Sequence, residues 1–425
     1  MPHILRYQTL KVVARTTSNY VAGFLSERHS YTNTYTNETI VSLRDLCPAL
    51  QNKNYFNYGG QGPLPTPSLE AMVACWGELQ RLGPFSRDVW PFLEAEVGAL
   101  RRRLAALCSV PPHRLALTEN VTSGCVLPLW GLPFDSGDRL LLSDAEHPGV
   151  VAACQELARR QQLEIDWFDA RDCRCDHSVI EGLEQQLQPR TRLVVLSHLL
   201  WNSGLPMPIK AVAQRLAEHP RHPWLLVDAA QSAGSLELGD VPAAADIYAF
   251  TGHKWCCGPE GLGGVALSER VLEQGQPTVI GWRSLSNESR AGSSWHRDGR
   301  RFEIATSCVP LGAGLRRSLE LLDGTGTAAK REARIKELSH RLWSGLQQIK
   351  GVQPLLQDAP PPSGLVSFTA AGHDPDALVD SLANRGFQLR SLEDPHCVRA
   401  CTHICSTEVE IDALLNALEN LCASA

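Results

Sequence analysis

The chain has 425 residues, enough for a sizeable core and for two domains. Its formal net charge of −6 leaves no basic footprint, which argues against nucleic acid as a partner. No apolar run reaches the length of a membrane span, which argues against a membrane protein.

The first forty or so residues stand apart. They carry Arg6, Lys11, Arg15 and Arg28 against only Glu27 before Glu38, with many Ser and Thr and no apolar signal core. That composition resembles a transit peptide and equally suits a disordered tail or a misassigned start codon. Residues 1–45 are read as an N-terminal extension, and no function is built on them.

Further along, apolar runs alternate with helical stretches. A short strand at Leu115–Leu117 precedes Thr118-Glu119-Asn120-Val121-Thr122-Ser123-Gly124 and then an apolar segment. Hydroxyls and backbone N–H groups therefore gather at a helix N-terminus, a seat for phosphate and also an ordinary N-cap. The strand Arg139–Leu142 leads into Ser143-Asp144-Ala145-Glu146-His147-Pro148-Gly149. Runs at Leu193–Leu196, Leu225–Val227, Ile247–Phe250 and Val265–Leu267 follow, with a helical stretch at Ile209–Ala217. The pattern predicts an α/β fold with a mainly parallel sheet, whose ligands bind at strand ends. After Phe302 the character changes. Leu311–Leu322 reads as a linking helix, Pro360-Pro361-Pro362 as a loop breaker, and Leu365–Thr369 with helical stretches 376–385 and 408–422 as a smaller α+β unit.

Two strand ends carry the chemistry. Trp224-Leu225-Leu226-Val227-Asp228 is an apolar strand ending in an aspartate, and a buried carboxylate needs a cationic partner. Thr251-Gly252-His253-Lys254-Trp255 places a lysine after the next apolar run, hemmed by glycines. Together the two groups suit pyridoxal 5'-phosphate: the aspartate would hold the protonated pyridine nitrogen, and the lysine would hold the aldehyde as a Schiff base. A histidine at position 147 suits stacking on the ring.

In this order and over this span, the clusters resemble the class V aminotransferase-like group of fold-type I pyridoxal phosphate enzymes. Further agreement lies in Asn57-Tyr58-Gly59-Gly60-Gln61-Gly62, Ser197-His198-Leu199-Leu200-Trp201-Asn202, Gly281-Trp282-Arg283-Ser284, Arg301-Phe302-Glu303 and Val398-Arg399-Ala400-Cys401. Within the group these are similar to the cyanobacterial L-cysteine/cystine C–S lyases. The resemblance runs from about Leu46 to the C-terminus. It implies a large pyridoxal phosphate domain over 66–310 with a seven-stranded type of sheet. A small α+β domain would be built from both ends, 46–65 and 311–425.

The resemblance also implies roles. Lys254 would form the Schiff base and then act as base on the substrate's Cα, with His147 stacked on the ring. Asp228 would hold the pyridine N–H and Gln231 the phenolic oxygen. Thr122, with Ser123 nearby, and His253 would hold the phosphate, and Thr251 would also bind the cofactor. Thr306 would reach the phosphate of the neighbouring subunit, which implies a homodimer with shared sites. Arg399 would clamp the substrate carboxylate, assisted by Arg390 and Asn202. Gly59, Gly60 and Trp282 would line the substrate pocket, although core packing or turn geometry explains each as well.

The implied reaction is β-elimination on L-cystine or L-cysteine, giving pyruvate, ammonia and cysteine persulfide or sulfide. The implied partners are a small sulfur amino acid and a sulfur-accepting protein. The rival reading is a cysteine desulfurase or selenocysteine lyase type of sulfurtransferase that releases alanine. Those enzymes need an accessible, acidic thiol in an Arg-x-Gly-x-His-Cys or Ser-Ser-Gly-Ser-Ala-Cys segment. The sequence contains neither, although Cys397 lies in the corresponding region. An aminotransferase and a non-catalytic pyridoxal phosphate-binding protein are the remaining alternatives, the latter disfavoured by intact Lys254, Asp228, His147 and Arg399. The fourteen cysteines, with no secretory signal, read as reduced thiols of a cytoplasmic protein. There is no CxxC pair; Cys397, Cys401 and Cys405 have helix-like spacing, and no metal site is expected.

Overall fold

The computed structural model describes residues 42–287 and 294–423. The N-terminal extension expected over 1–45 lies almost wholly outside the described residues. Seven strands form the main sheet: β1 (Leu115–Thr118), β2 (Arg139–Ser143), β3 (Glu164–Phe168), β4 (Thr191–Ser197), β5 (Trp224–Asp228), β6 (Ile247–Thr251) and β7 (Gly263–Leu267). Their order is β1-β7-β6-β5-β4-β2-β3. The ladder is parallel from β3 through β6, and β7 runs antiparallel to both β6 and β1.

The sheet is buried on both faces, which explains the unbroken apolar runs. Leu140, Leu142, Leu193, Val195 and Leu226 point to one side, where they meet helices α3 (Val121–Leu129) and α4 (Pro148–Gln161). Leu141, Val194, Leu196, Leu225 and Val227 point to the other. There they meet α2 (Val89–Leu107), α6 (Ile209–Glu218) and α7 (Val309–Gly324). Helix α1 spans Thr66–Leu82 and α5 Asp176–Gln186. Edge strand β3 has only Phe168 buried, its other residues being exposed or half-exposed, and its mixed sequence escapes the apolar-run criterion.

A second, antiparallel sheet has the order β8-β9-β11-β10, with β8 Val352–Pro354, β9 Leu365–Ala370, β10 Arg390–Glu393 and β11 His396–Cys401. Its core joins α8 (Ala328–Leu346), α9 (Pro375–Ala383) and α10 (Glu408–Ala423). Asn54–Tyr55 pairs in parallel with Phe387–Gln388, and the Cys401 N–H donates to the Phe56 carbonyl at 2.7 Å. The segment before the main sheet is thereby stitched to the far end of the chain.

The spacing of Cys397, Cys401 and Cys405 is not helical. Cys397 and Cys401 sit on β11, and Cys405 lies in the loop before α10. A separation of four is even, so it aligns side chains on one strand face as well as on one helix face. Pairing on both sides, with β9 and β10, decides for the strand. The connection read after Arg390 is likewise a hairpin, β10 to β11.

Leu226, fully buried on the central strand β5, is a sensitive point for the sheet. Leu226→Ala should lower stability by about 2–5 kcal/mol through lost burial and a residual cavity. A chemical denaturation midpoint indistinguishable from wild type would contradict this account of the core.

Candidate active site

The ends of the parallel strands deliver the site. β2, β4, β5 and β6 end at Ser143, Ser197, Asp228 and Thr251, and the loops after them carry His147, Asn202, Gln231, His253 and Lys254. This is where an open parallel sheet places ligands.

Asp228 is 4% exposed, and its Oδ1 accepts the Ala230 N–H at 2.8 Å. Burial raises its pKa, against the pull of that N–H, Lys254 and His147. Lys254 is half-buried, and burial pushes its ammonium down to about 8, with Asp228 opposing and Arg399 and Arg390 adding to the shift. Asp228 and Lys254 influence each other, yet neither makes an ion pair within 4.0 Å among the described residues. The lysine turn is closed by its neighbours: the Gly62 N–H donates to the His253 carbonyl at 2.7 Å and the Cys257 N–H to the Lys254 carbonyl at 3.0 Å. A Cβ on Gly62 would lie 2.2 Å from the Lys254 carbonyl oxygen, so that approach requires glycine.

Around this pair stand the remaining strand-end residues. His147 caps α4, its Nδ1 accepting the Gly149 N–H at 3.2 Å, and its exposed ring meets Trp201 edge-on at 5.8 Å. The acceptor role of Nδ1 places the proton of the neutral ring on Nε2. Thr122 and Ser123 open α3, where Asn120 Oδ1 caps the Ser123 N–H at 2.9 Å. A Cβ on Gly149 would lie 3.7 Å from Thr122 Oγ1, so the α3 and α4 N-termini adjoin. Thr251 Oγ1 and His253 Nδ1 are 2.7 Å apart. Gln231 uses both ends of its amide: Nε2 donates to the Gly59 carbonyl and Oε1 accepts the Trp255 indole N–H, each at 2.9 Å.

The second sheet contributes a guanidinium. Arg399 on β11 is 2% exposed; Nη1 donates to the Trp201 carbonyl at 2.8 Å, and Nε has no partner. No carboxylate pairs with it within 4.0 Å among the described residues. A buried guanidinium without an anion is costly, and burial lowers its pKa accordingly. Arg390 faces it in register from β10, exposed. Asn202 is 2% exposed, and its Nδ2 is also without a partner. A Cβ on Gly59 would lie 2.9 Å from Arg399 Nη2 and 3.1 Å from Cys401 Sγ, so bare backbone closes over the guanidinium. Gly60 packs instead on the Asn57 side chain.

Trp282 and Thr306 are not brought to Lys254 within one chain. They line a separate cleft with Trp76, Phe85 and Trp90, whose side chains are exposed. Most cysteines are buried, and all fourteen are free. Cys397 is fully buried, and burial pushes its thiol up to about 11. No cluster of three or more metal-ligating side chains exists among the described residues. No described helix is long and apolar enough to cross a membrane.

Sequence reasoning assigned no role to Glu146. Its buried carboxylate accepts the Ser143 hydroxyl and, at 2.8 Å each, the Ser197 N–H and hydroxyl. It thereby ties the end of β2 to the end of β4 directly beside His147. Burial pushes its pKa up to about 7, against those three donors. A carboxyl whose pKa rises on folding stabilises the protein while protonated, and that contribution is lost as pH climbs through about 7. Glu146→Gln preserves the shape and cannot ionise. The melting temperature of the variant minus that of wild type should therefore grow between about pH 5 and about pH 8. A difference that stays flat across this range would refute the assignment.

The sequence profile described as aminotransferase class-V matches residues 93–415. An isopenicillin N epimerase from Streptomyces clavuligerus is 31% identical over 397 residues, covering 88% of this chain and 96% of the relative. Two solved structures of the protein C-DES are each 41% identical to this chain. One is a Lys-to-Ala mutant with glycine covalently linked to its PLP cofactor; its TM-score is 0.85, and the match covers 89% of this chain and 99% of that one. The other is the cystine C–S lyase C-DES in complex with its reaction product cysteine persulfide; its TM-score is 0.84, and the match covers 88% and 99%. With the strand-end lysine and aspartate on a mainly parallel sheet, the match assigns the chain to the aminotransferase class-V family, as a pyridoxal phosphate enzyme of fold type I.

Proposed function

We propose that this enzyme is a C–S lyase that eliminates sulfur from L-cystine or L-cysteine, giving pyruvate, ammonia and cysteine persulfide or sulfide. The observation that carries this reading is the buried, anion-free guanidinium of Arg399 beside Lys254, a ready anchor for an amino-acid carboxylate. The likeness to the C–S lyase C-DES at 41% identity supports the sulfur substrate.

The residues fit pyridoxal phosphate. Asp228, buried with no ion pair, suits a cationic pyridine nitrogen, and Lys254, with its lowered pKa, suits bond formation with an aldehyde. Thr122, Ser123, Thr251 and His253 would hold the phosphate at the α3 N-terminus, Gln231 the ring oxygen, and His147 the ring face. Bound there, the cofactor supplies an electron sink for negative charge at the substrate's Cα.

The chain's own side chains do the rest. Arg399 binds the carboxylate, with Arg390 and the free amide N–H groups of Asn202 beside it, which fixes Cα against Lys254. Lys254 takes the Cα proton, and the sulfur group leaves from Cβ. Cysteine persulfide, expelled from cystine, is a weaker base than a simple thiolate and so departs more easily. The enamine released hydrolyses to pyruvate and ammonia.

Residues 66–310 form the cofactor domain, and 46–65 with 311–425 the small domain, in a homodimer with shared active sites. Trp282 and Thr306, set in an apolar cleft away from Lys254, belong to the neighbouring subunit's site. The persulfide passes to a sulfur-accepting protein in the cytoplasm.

Two measurements test the reading. Arg399→Ala should raise KM and lower kcat/KM by about 2–4 kcal/mol, roughly 30- to 1,000-fold, the scale of truncating a buried charge-assisted contact. Should Arg390→Ala prove severe while Arg399→Ala is silent, the anchor is misassigned. Product analysis separates lyase from desulfurase. Cys397, whose thiol lies near 11 and out of solvent, is a poor nucleophile. Cys397→Ser should therefore still yield pyruvate from cystine at close to the wild-type rate. Alanine as the main product, with a persulfide trapped on Cys397, would establish the desulfurase instead.

A further inference from the structure

The amide of Gln231 is oriented from both ends. Trp255 Nε1 donates to its Oε1 at 2.9 Å, and its Nε2 donates to the Gly59 carbonyl at 2.9 Å. Neither partner is reversible: an indole N–H only donates and a carbonyl only accepts. Turning the amide over would set donor against donor and acceptor against acceptor, where Gln231 is 4% exposed and Trp255 fully buried. A primary amide carries two N–H groups. Gly59 takes one, and the other remains.

We propose that Trp255 is a positioning residue: it keys the Gln231 amide so that the second N–H, and never the oxygen, is offered to the ring oxygen of bound pyridoxal phosphate. The inference rests on the cofactor reading above and on the place of Gln231 within it. An N–H in that position favours the ionised ring oxygen, whereas an amide oxygen would repel it. Trp255 would then set the pH at which the bound cofactor changes its absorbance.

The key is itself held in place. The carbonyl of Trp255 accepts from His403 Nε2 at 3.1 Å, while His403 Nδ1 accepts the Cys405 N–H at 3.3 Å, which fixes the tautomer. Tyr58 stacks on His403 at 4.3 Å. At Gly364 a Cβ would lie 2.9 Å from the indole's Cη2, so the ring has no space to swing. Trp255 also directly follows Lys254, and one turn both delivers the amine and orients the amide.

Trp255→Phe keeps the aromatic bulk and removes only the N–H. The visible absorbance of the purified holoenzyme, titrated with pH, should show its midpoint displaced upward by about one unit, the scale of one hydrogen bond to a charged group. Gln231→Leu should displace it in the same direction, and the double variant should match Gln231→Leu alone, since Trp255 acts through that amide. An unmoved midpoint in Trp255→Phe overturns the proposal, as does a Trp255 effect that persists undiminished on the Gln231→Leu background. Gln231→Glu gives an arm in which Trp255 is untouched: the carboxylate still accepts the indole N–H but offers none to the cofactor. Its midpoint should also rise, and an unchanged one overturns the proposal even where Trp255→Phe does not fold. A wild-type protein that develops no visible band with added pyridoxal phosphate would overturn the cofactor reading instead.

Discussion

Lys254, Arg390 and Arg399 act on one another across a space in which Asp228 supplies the opposing charge. Holding Lys254 and Arg399 away from water beside like charge raises the free energy of the folded chain, and their lowered pKa values record that cost. The arrangement is relieved by anions. The carboxylate proposed to bind at Arg399 would offset it, so on that reading binding and electrostatic relief are the same event. The site is thus better matched to its ligands than to water.

Such a cluster needs a stiff frame, and the surrounding groups supply one. Glu146 staples two strand ends through Ser143 and Ser197. His198 Nδ1 and Ser232 Oγ both meet the Tyr248 hydroxyl, at 2.8 and 3.1 Å, beneath the strand that ends in Asp228. The Asn57–Gly62 loop touches Gln231 and the backbone around Lys254 on one side and Arg399 on the other. It joins the surroundings of Lys254 and Gln231 to those of Arg399 through backbone atoms, which leave little room for adjustment.

Parts of this were legible in the sequence for a plain reason. Leu193–Leu196 and Leu225–Val227 are buried on both faces, so they appear as unbroken apolar runs, and Asp228 stands out as the charged residue that ends one of them. Strand Glu164–Phe168 lies at the sheet edge, half-exposed, and carries no such signature. The hairpin from Arg390 to Cys401 hid behind a four-residue cysteine spacing that suits helix and strand alike. Glu146 and Trp255 were out of reach for another reason. Their roles depend on partners distant in sequence, Ser197 and Gln231, which only the folded sheet brings within 3 Å. Trp282 and Thr306 line a cleft that Lys254 does not share, and the shared-site role proposed for them calls for a second copy of the chain.

The burial of the thiols has a bearing on self-inflicted damage. An enzyme that released sulfane sulfur at its own active site, as proposed above, would be the first protein exposed to it, and thiolates are the nucleophiles that capture such sulfur. Here most of the fourteen cysteines are shielded from solvent, and burial holds Cys154 and Cys256 near 12 and Cys397 near 11, protonated at physiological pH. Cys175 is different: it lies on the surface, and the backbone and hydroxyl of Ser178 lower its pKa. Of the two exposed thiols, Cys175 and Cys308, Cys175 is the one whose surroundings favour the thiolate, so sulfur released by the proposed reaction would be captured there first.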